Sequence, residues 1–148
     1  MDETDYKILN LLKEDSSLST YKISKKASIP QTTVLNRIRK LNENGIIKKY
    51  SIVVDQKKVG NNVSALIFVK VENTEEKKHL GQIGLIEERI SKHPMVSSVK
   101  RLMGNFDFVI ELFCKDIDEL NDFLIKNVRS VHYVKDTNTM VVLKEWSK

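Results

Sequence analysis

The sequence predicts an α+β protein built in two parts, a helical unit first and a sheet-bearing unit second. Three patterns carry the prediction. Between Thr20 and Tyr50, apolar residues recur at helical spacing on either side of a break at Ser28-Ile29-Pro30. From Val63 to Leu143, β-branched runs alternate with helical periods. Between the two regions lies DQKKVGNN, Asp55 to Asn62, polar and Gly-containing as a linker should be. The expected division is 1–54, a linker at 55–62, and 63–148, in a chain of 148 residues that suits one average domain or two small ones.

A first helix is expected from about Thr4 to Glu14. Thr4 is its candidate cap, Asp5 favours the positive end of its dipole, and Ile8, Leu9 and Leu12 form its buried stripe. Asp15-Ser16-Ser17 reads as a turn. A second helix is expected over Tyr21–Ala27 with Thr20 as cap, and a third over Gln31–Asn44. Pro30 disfavours a helical residue before it, and Gly45 suits the left-handed position that closes a helix.

Val34, Ile38 and Leu41 form the inward stripe of the third helix, and Thr33, Asn36, Arg37 and Lys40 an outward face of donors. Such a face can enter the DNA major groove, where Arg and Asn pair bidentately with base edges. A helix-turn-helix does this with its second helix. The plainer reading is an amphipathic helix with a solvated polar face, and charge decides between them. Residues 1–60 hold 12 basic and 7 acidic side chains, whereas residues 61–148 hold 13 of each. Within Thr20–Lys49, 8 basic residues face Glu43 alone. A basic patch on one compact unit is the footprint of phosphate contact. A short ribbon, Ile46–Tyr50 and Ile52–Val54, would follow, with Lys48 and Lys49 as a wing over the DNA backbone.

The second part reads as strand Val63–Val71, a charged loop Glu72–Lys78 and helix Leu80–His93. Ile83, Ile86 and Ile90 lie on one face of that helix and Pro94 ends it. Strands Val96–Leu102 and Phe106–Phe113 flank a turn at Met103-Gly104-Asn105. A helix over Asp116–Asn127 carries Ile117, Leu120, Leu124 and Val128 inward, and Tyr133–Leu143 contains the last strand. The order βαββαβ is the ferredoxin-like split unit. Both helices on one side of the sheet leave its other face bare, so a second copy is the expected cover.

One cysteine, Cys114, excludes an intrachain disulfide framework and a Cys-rich zinc site, and reads as a small buried apolar residue. No apolar run reaches the length of a membrane span, and no signal-like core follows the acidic first residues, so the expected location is the cytoplasm. No metal and no cofactor are expected.

Several motifs fall in order: Arg37-Ile38-Arg39-Lys40-Leu41-Asn42-Glu43-Asn44-Gly45-Ile46-Ile47, then Val59-Gly60, then Gly104-Asn105-Phe106-Asp107 before a strand. Over nearly its full length the chain resembles the Lrp/AsnC, or feast/famine, regulators. The resemblance implies an N-terminal winged helix-turn-helix and a C-terminal αβ sandwich of the RAM/ACT-like kind. It implies dimers that often build larger even assemblies, and an amino-acid effector bound near the turn matching Met103, Gly104, Asn105 and Asp107. It places the helix-turn-helix at Tyr21 to Lys40. The family often has Gly-Leu-Ser at the inter-helix turn, where this chain has Ser28-Ile29-Pro30, followed by a different donor set at Gln31, Thr32 and Thr33.

The expected function is sequence-specific, DNA-binding transcriptional regulation. Thr33, Asn36 and Arg37 would read bases. Lys22, Lys25, Lys26, Arg39 and Lys40 would meet or flank phosphates, with Tyr21, Gln31, Thr32 and Lys48 alongside. Two rivals are an architectural DNA binder and an enzyme, since some haem-pathway decarboxylases share a similar architecture. His79, His93 and His132 would be the acid–base candidates, but they are scattered and form no ligand or nucleophile motif. The basic helix pair speaks against the enzyme.

Overall fold

The fold was analysed in a computed structural model that describes residues 1–72 and 78–145. The expected loop at Glu72–Lys78 falls mostly outside these residues. The chain forms two compact units, Met1–Val54 and Asp55–Lys148.

The first unit holds α1 (Glu3–Glu14), α2 (Thr20–Ala27) and α3 (Gln31–Glu43). Ile8, Ile23, Val34 and Leu41 are buried at its centre, with Leu9, Leu12, Leu18 and Ile38 packed around them. The caps differ from expectation at two starts. Asp2, not Thr4, caps α1, because Asp2 and Asp5 form a reciprocal capping box that satisfies two free N–H groups at once. Ser19, not Thr20, caps α2 by accepting from Lys22 N. The end of α3 is as expected: Gly45 has φ +66°, its N–H donates to Asn42 O, and Ile46 N donates to Leu41 O. This is the paired closure of a Schellman motif.

The break between α2 and α3 is made by Ser28 at φ +55°. Ser24 Oγ donates to Ile29 O at 2.6 Å and Ile29 N donates to Ser24 O at 3.1 Å, which closes the turn. A left-handed non-glycine residue carries a cost of about 1–2 kcal/mol. Ser28→Gly is therefore expected to stabilise the unit by up to about 1 kcal/mol once glycine's larger unfolded-state entropy is subtracted. A higher urea midpoint at unchanged slope is the readout.

The expected ribbon is not formed. Residues 46–54 form no strand ladder, and Ile52 and Val53 are 81% and 95% exposed. Each ladder needs a neighbouring strand, and among the described residues none pairs with this segment, which is anchored by backbone bonds at Ile46 and Ile47 and by side chains further on. Ser16 Oγ donates to Ser51 O, and Asn42 Nδ2 to Tyr50 Oη. Residues 56–60 form a hydrogen-bonded turn, with Gly60 at φ +95°.

The second unit follows the order β1 (Val63–Val71), α4 (Lys78–Ser91), β2 (Val96–Arg101), β3 (Phe108–Cys114), α5 (Ile117–Phe123) and β4 (Val134–Val141). A π-helical turn, Leu124–Arg129, continues α5. The strands lie β2-β3-β1-β4, all antiparallel, as the ferredoxin-like pattern requires. Period-two alternation sends Ala65, Ile67, Val69 and Val71 to one face with Phe108, Ile110, Leu112 and Cys114. There they meet Ile90, Leu120, Phe123, Leu124 and Val128. Asp116 caps α5 through Glu119 N as expected, but Ile117 is 56% exposed rather than inward. It occupies the first helical position, and Phe123 fills the apolar stripe in its place.

Cys114 is fully buried, and burial, reinforced by Glu119 and Asp116, pushes its thiol up to about 11 from the ordinary 9.0. Only thiolate reacts with disulfide reagents. The folded protein at pH 8 is expected to leave Cys114 unlabelled by Ellman's reagent, and urea to expose one thiol. Because the folded value is the higher one, the associated stability is complete below the unfolded pKa and is lost as pH rises toward about 11.

Candidate nucleic-acid interface and effector turn

Packing fixes which side of α3 faces outward. With Val34 and Leu41 buried and Ile38 partly so, the opposite side carries Thr32, Asn36 and Arg39, all exposed. These lie at i, i+4 and i+7, on one face of a helix. Thr33 and Arg37, expected at the centre of the reading face, are half-buried on its flank. Lys40 is exposed beside the stripe, and Gln31 is exposed at the helix start, where its Nε2 donates to Thr20 Oγ1 at 3.1 Å. Leu35, which the sequence reading passed over, is 48% exposed next to Asn36. Its signal was available: the inward stripe was complete without it.

On α2, Tyr21, Lys22, Lys25 and Lys26 are exposed, with Lys25 Nζ 5.6 Å from the centre of the Tyr21 ring. Lys48 is exposed on the segment after α3. None of Lys22, Lys25, Lys26, Arg39, Lys40 and Lys48 is in an ion pair among the described residues.

Arg37 is differently occupied. Its Nη1 lies 2.7 Å from Asp2 Oδ2 and 3.2 Å from Asp5 Oδ1. The hydrogen bond from Asp5 N, and then Arg37, holds the Asp2 carboxyl below its usual range. Asp2 in turn raises the guanidinium further above neutrality.

The turn after β2 presents Met103 fully exposed, Gly104 at φ +149° and Asn105 exposed. Asp107 is half-buried, and part of its carboxylate is already spent: Val71 N donates to Oδ2 at 2.8 Å, while Asp107 N donates to Val69 O. The residue thus ties the turn to the end of β1. Phe106 packs against Phe68 on the sheet face away from the helices, ring centres 5.5 Å apart. At the base of the turn Arg101 bonds Glu87 of α4 through Nε and Nη2. A groove of about 730 Å³ in the first unit lies between the end of α1 and residues 46–53.

The candidate histidines have packing roles. His93 lies edge-on to Phe123 and its Nδ1 accepts from Met95 N, while His132 lies edge-on to Tyr133. The side chain of His79 falls outside the described residues. Among the described residues no cluster of His, Cys, Asp or Glu could hold a metal ion, and no helix is long and apolar enough to cross a membrane.

Two helices meeting across a tight left-handed break, the second with an exposed donor stripe and cations around it, define a helix-turn-helix DNA-binding protein with a ferredoxin-like second domain. Comparison with known proteins narrows the class. Residues 1–48 match a winged helix-turn-helix DNA-binding family, and residues 64–148 match the Lrp/AsnC ligand binding domain. The chain is 34% identical over 144 residues to the HTH-type transcriptional regulator FL11 of Pyrococcus horikoshii, covering 97% of this chain and 90% of that one. It is 32% identical to the transcriptional regulator AzlB of Bacillus subtilis, covering 97% and 88%. Among solved structures, a Neisseria meningitidis transcriptional regulator in complex with L-methionine superposes with a TM-score of 0.88 at 26% identity, covering 100% and 93%. This chain belongs to the Lrp/AsnC family, and it is a DNA-binding transcriptional regulator with the family's ligand-binding domain.

Proposed function

We propose that the protein acts in the cytoplasm as a dimer or larger even assembly. In this reading, paired α3 helices enter successive major grooves, with half-sites about 34–36 Å apart. The observation that carries the proposal is the exposed Thr32–Asn36–Arg39 stripe, ringed by cations that form no ion pair among the described residues. Asn36 reads a base edge, and Leu35 lies beside it for apolar contact with a thymine methyl. Lys22, Lys25, Lys26, Arg39, Lys40 and Lys48 meet phosphates, with Tyr21, Gln31 and Thr32 bordering them. No catalytic step is assigned to the chain.

Pairing is supported by the sheet face turned away from α4 and α5, where Leu66, Phe68 and Phe113 are half-exposed and Met140 lies opposite Leu66. A monomer in analytical ultracentrifugation at micromolar concentration would remove the dimer. The effector is an amino acid at Met103, Gly104, Asn105 and Asp107. The N. meningitidis relative, solved with L-methionine, supports that class of ligand. The turn lies on the surface of one copy, so a second copy has to complete the enclosure.

The test is fluorescence anisotropy with DNA from upstream of the protein's own gene and with a scrambled duplex, at two salt concentrations. Preference for the upstream duplex that survives higher salt is expected. Equal and steeply salt-dependent binding to both would instead indicate an architectural binder.

A further inference from the structure

We propose that Arg37 is a positioning residue: by bridging Asp2 and Asp5 it holds α3 against the start of α1, at the angle from which α3 reads DNA. This rests on the assignment of α3 as the reading helix. All four carboxylate oxygens of the two acids are occupied. Asp5 N donates to Asp2 Oδ1, Asp2 N donates to Asp5 Oδ2, and Arg37 Nη1 meets the remaining oxygen of each. Asp5 is 7% exposed and is the one buried charged residue among those described. An arginine leaving to meet a phosphate would strand that buried carboxylate without its cation, which is strongly unfavourable. The start of α3 has no side-chain cap of its own, since Pro30 supplies none. The bridge therefore ties the middle of α3 to a residue 32 positions away in sequence.

The sign of one substitution separates this from direct DNA contact. Removing an acid from a DNA-binding surface ordinarily strengthens binding by reducing repulsion. Here Asp5→Asn is expected to weaken binding to the preferred duplex about tenfold, within the range of coupled pairs, and to leave the scrambled duplex unaffected. Arg37→Ala should do the same with no change in the salt slope, and the double variant should be no worse than either single one. A single nitrogen meets both acids, so a lysine ammonium can replace it, and Arg37→Lys is expected to keep the preference.

All variants are assayed well below their melting temperatures, on full-length protein, with the upstream and scrambled duplexes. An Arg37→Ala slope lower by about 0.9, with Asp5→Asn neutral or tighter, would make Arg37 a phosphate contact and overturn the proposal. Additive losses in the double variant would overturn it too, as would unchanged preference in both single variants. A wild-type protein that treats the two duplexes alike removes the reading-helix assignment itself. That outcome is seen before any variant is measured.

Discussion

Asn36→Ala is expected to cost about 1–3 kcal/mol of affinity for the preferred duplex, a loss of roughly tenfold to a hundredfold, and to relax preference at one base pair. Asn36 stands on the outward side of α3, opposite buried Val34 and Leu41, and in the first half of the helix. Its amide can donate to and accept from the N7/N6 edge of adenine, a pairing no other base offers in the major groove. Asn36 is uncharged, so the salt slope should stay constant. Arg39→Ala is the contrasting case. As a phosphate contact it should weaken both duplexes alike and lower the slope by about 0.9. Anisotropy titrations across a salt series, with single-base variants of the duplex, measure both. Uniform loss for Asn36→Ala on every sequence would remove it from base reading.

Phe108→Ala is expected to destabilise the second unit by about 3–5 kcal/mol, a fall in its melting temperature of roughly 12–40 °C. Phe108 is fully buried, opens central strand β3, and lies level with Val69 on β1 and Arg101 on β2. Truncation leaves a cavity between the sheet and its helices, and strands paired on both sides cannot relax to fill it. Phe108 also follows directly on Asp107, whose carboxylate ties the turn to β1. The same variant is therefore expected to weaken any thermal stabilisation by added amino acids. Urea denaturation and calorimetry with and without amino acids are the measurements. A loss below about 1 kcal/mol would mean that the site repacks.

The periods were legible because they reflect local geometry. Helical spacing in Val34, Ile38 and Leu41 and alternation along Val63–Val71 each follow from backbone repeat alone. Gly45 and Asp116 were legible as caps because those positions select particular residues. The same local logic misplaced the cap of α1. Thr4 and Asp2 are both good caps, and only the reciprocal bonds with Asp5 separate them. It also put a ribbon at residues 46–54, where the β-branched residues were present but the neighbouring strand was not.

The amino-acid order by itself determined the two-part α+β architecture, the βαββαβ succession, the basic helix pair and the isolated cysteine. These depend on spacing and composition along the chain. Tertiary structure alone decided which side of α3 faces outward, where the Asp107 carboxylate is spent, and that Arg37 is held by Asp2 and Asp5. A helical wheel assigns faces only to within a residue or so, and a long cationic side chain on the flank can turn toward solvent or toward an acid. The acid that decided it lies 32 residues away in sequence, and folding alone brings it within 3.2 Å.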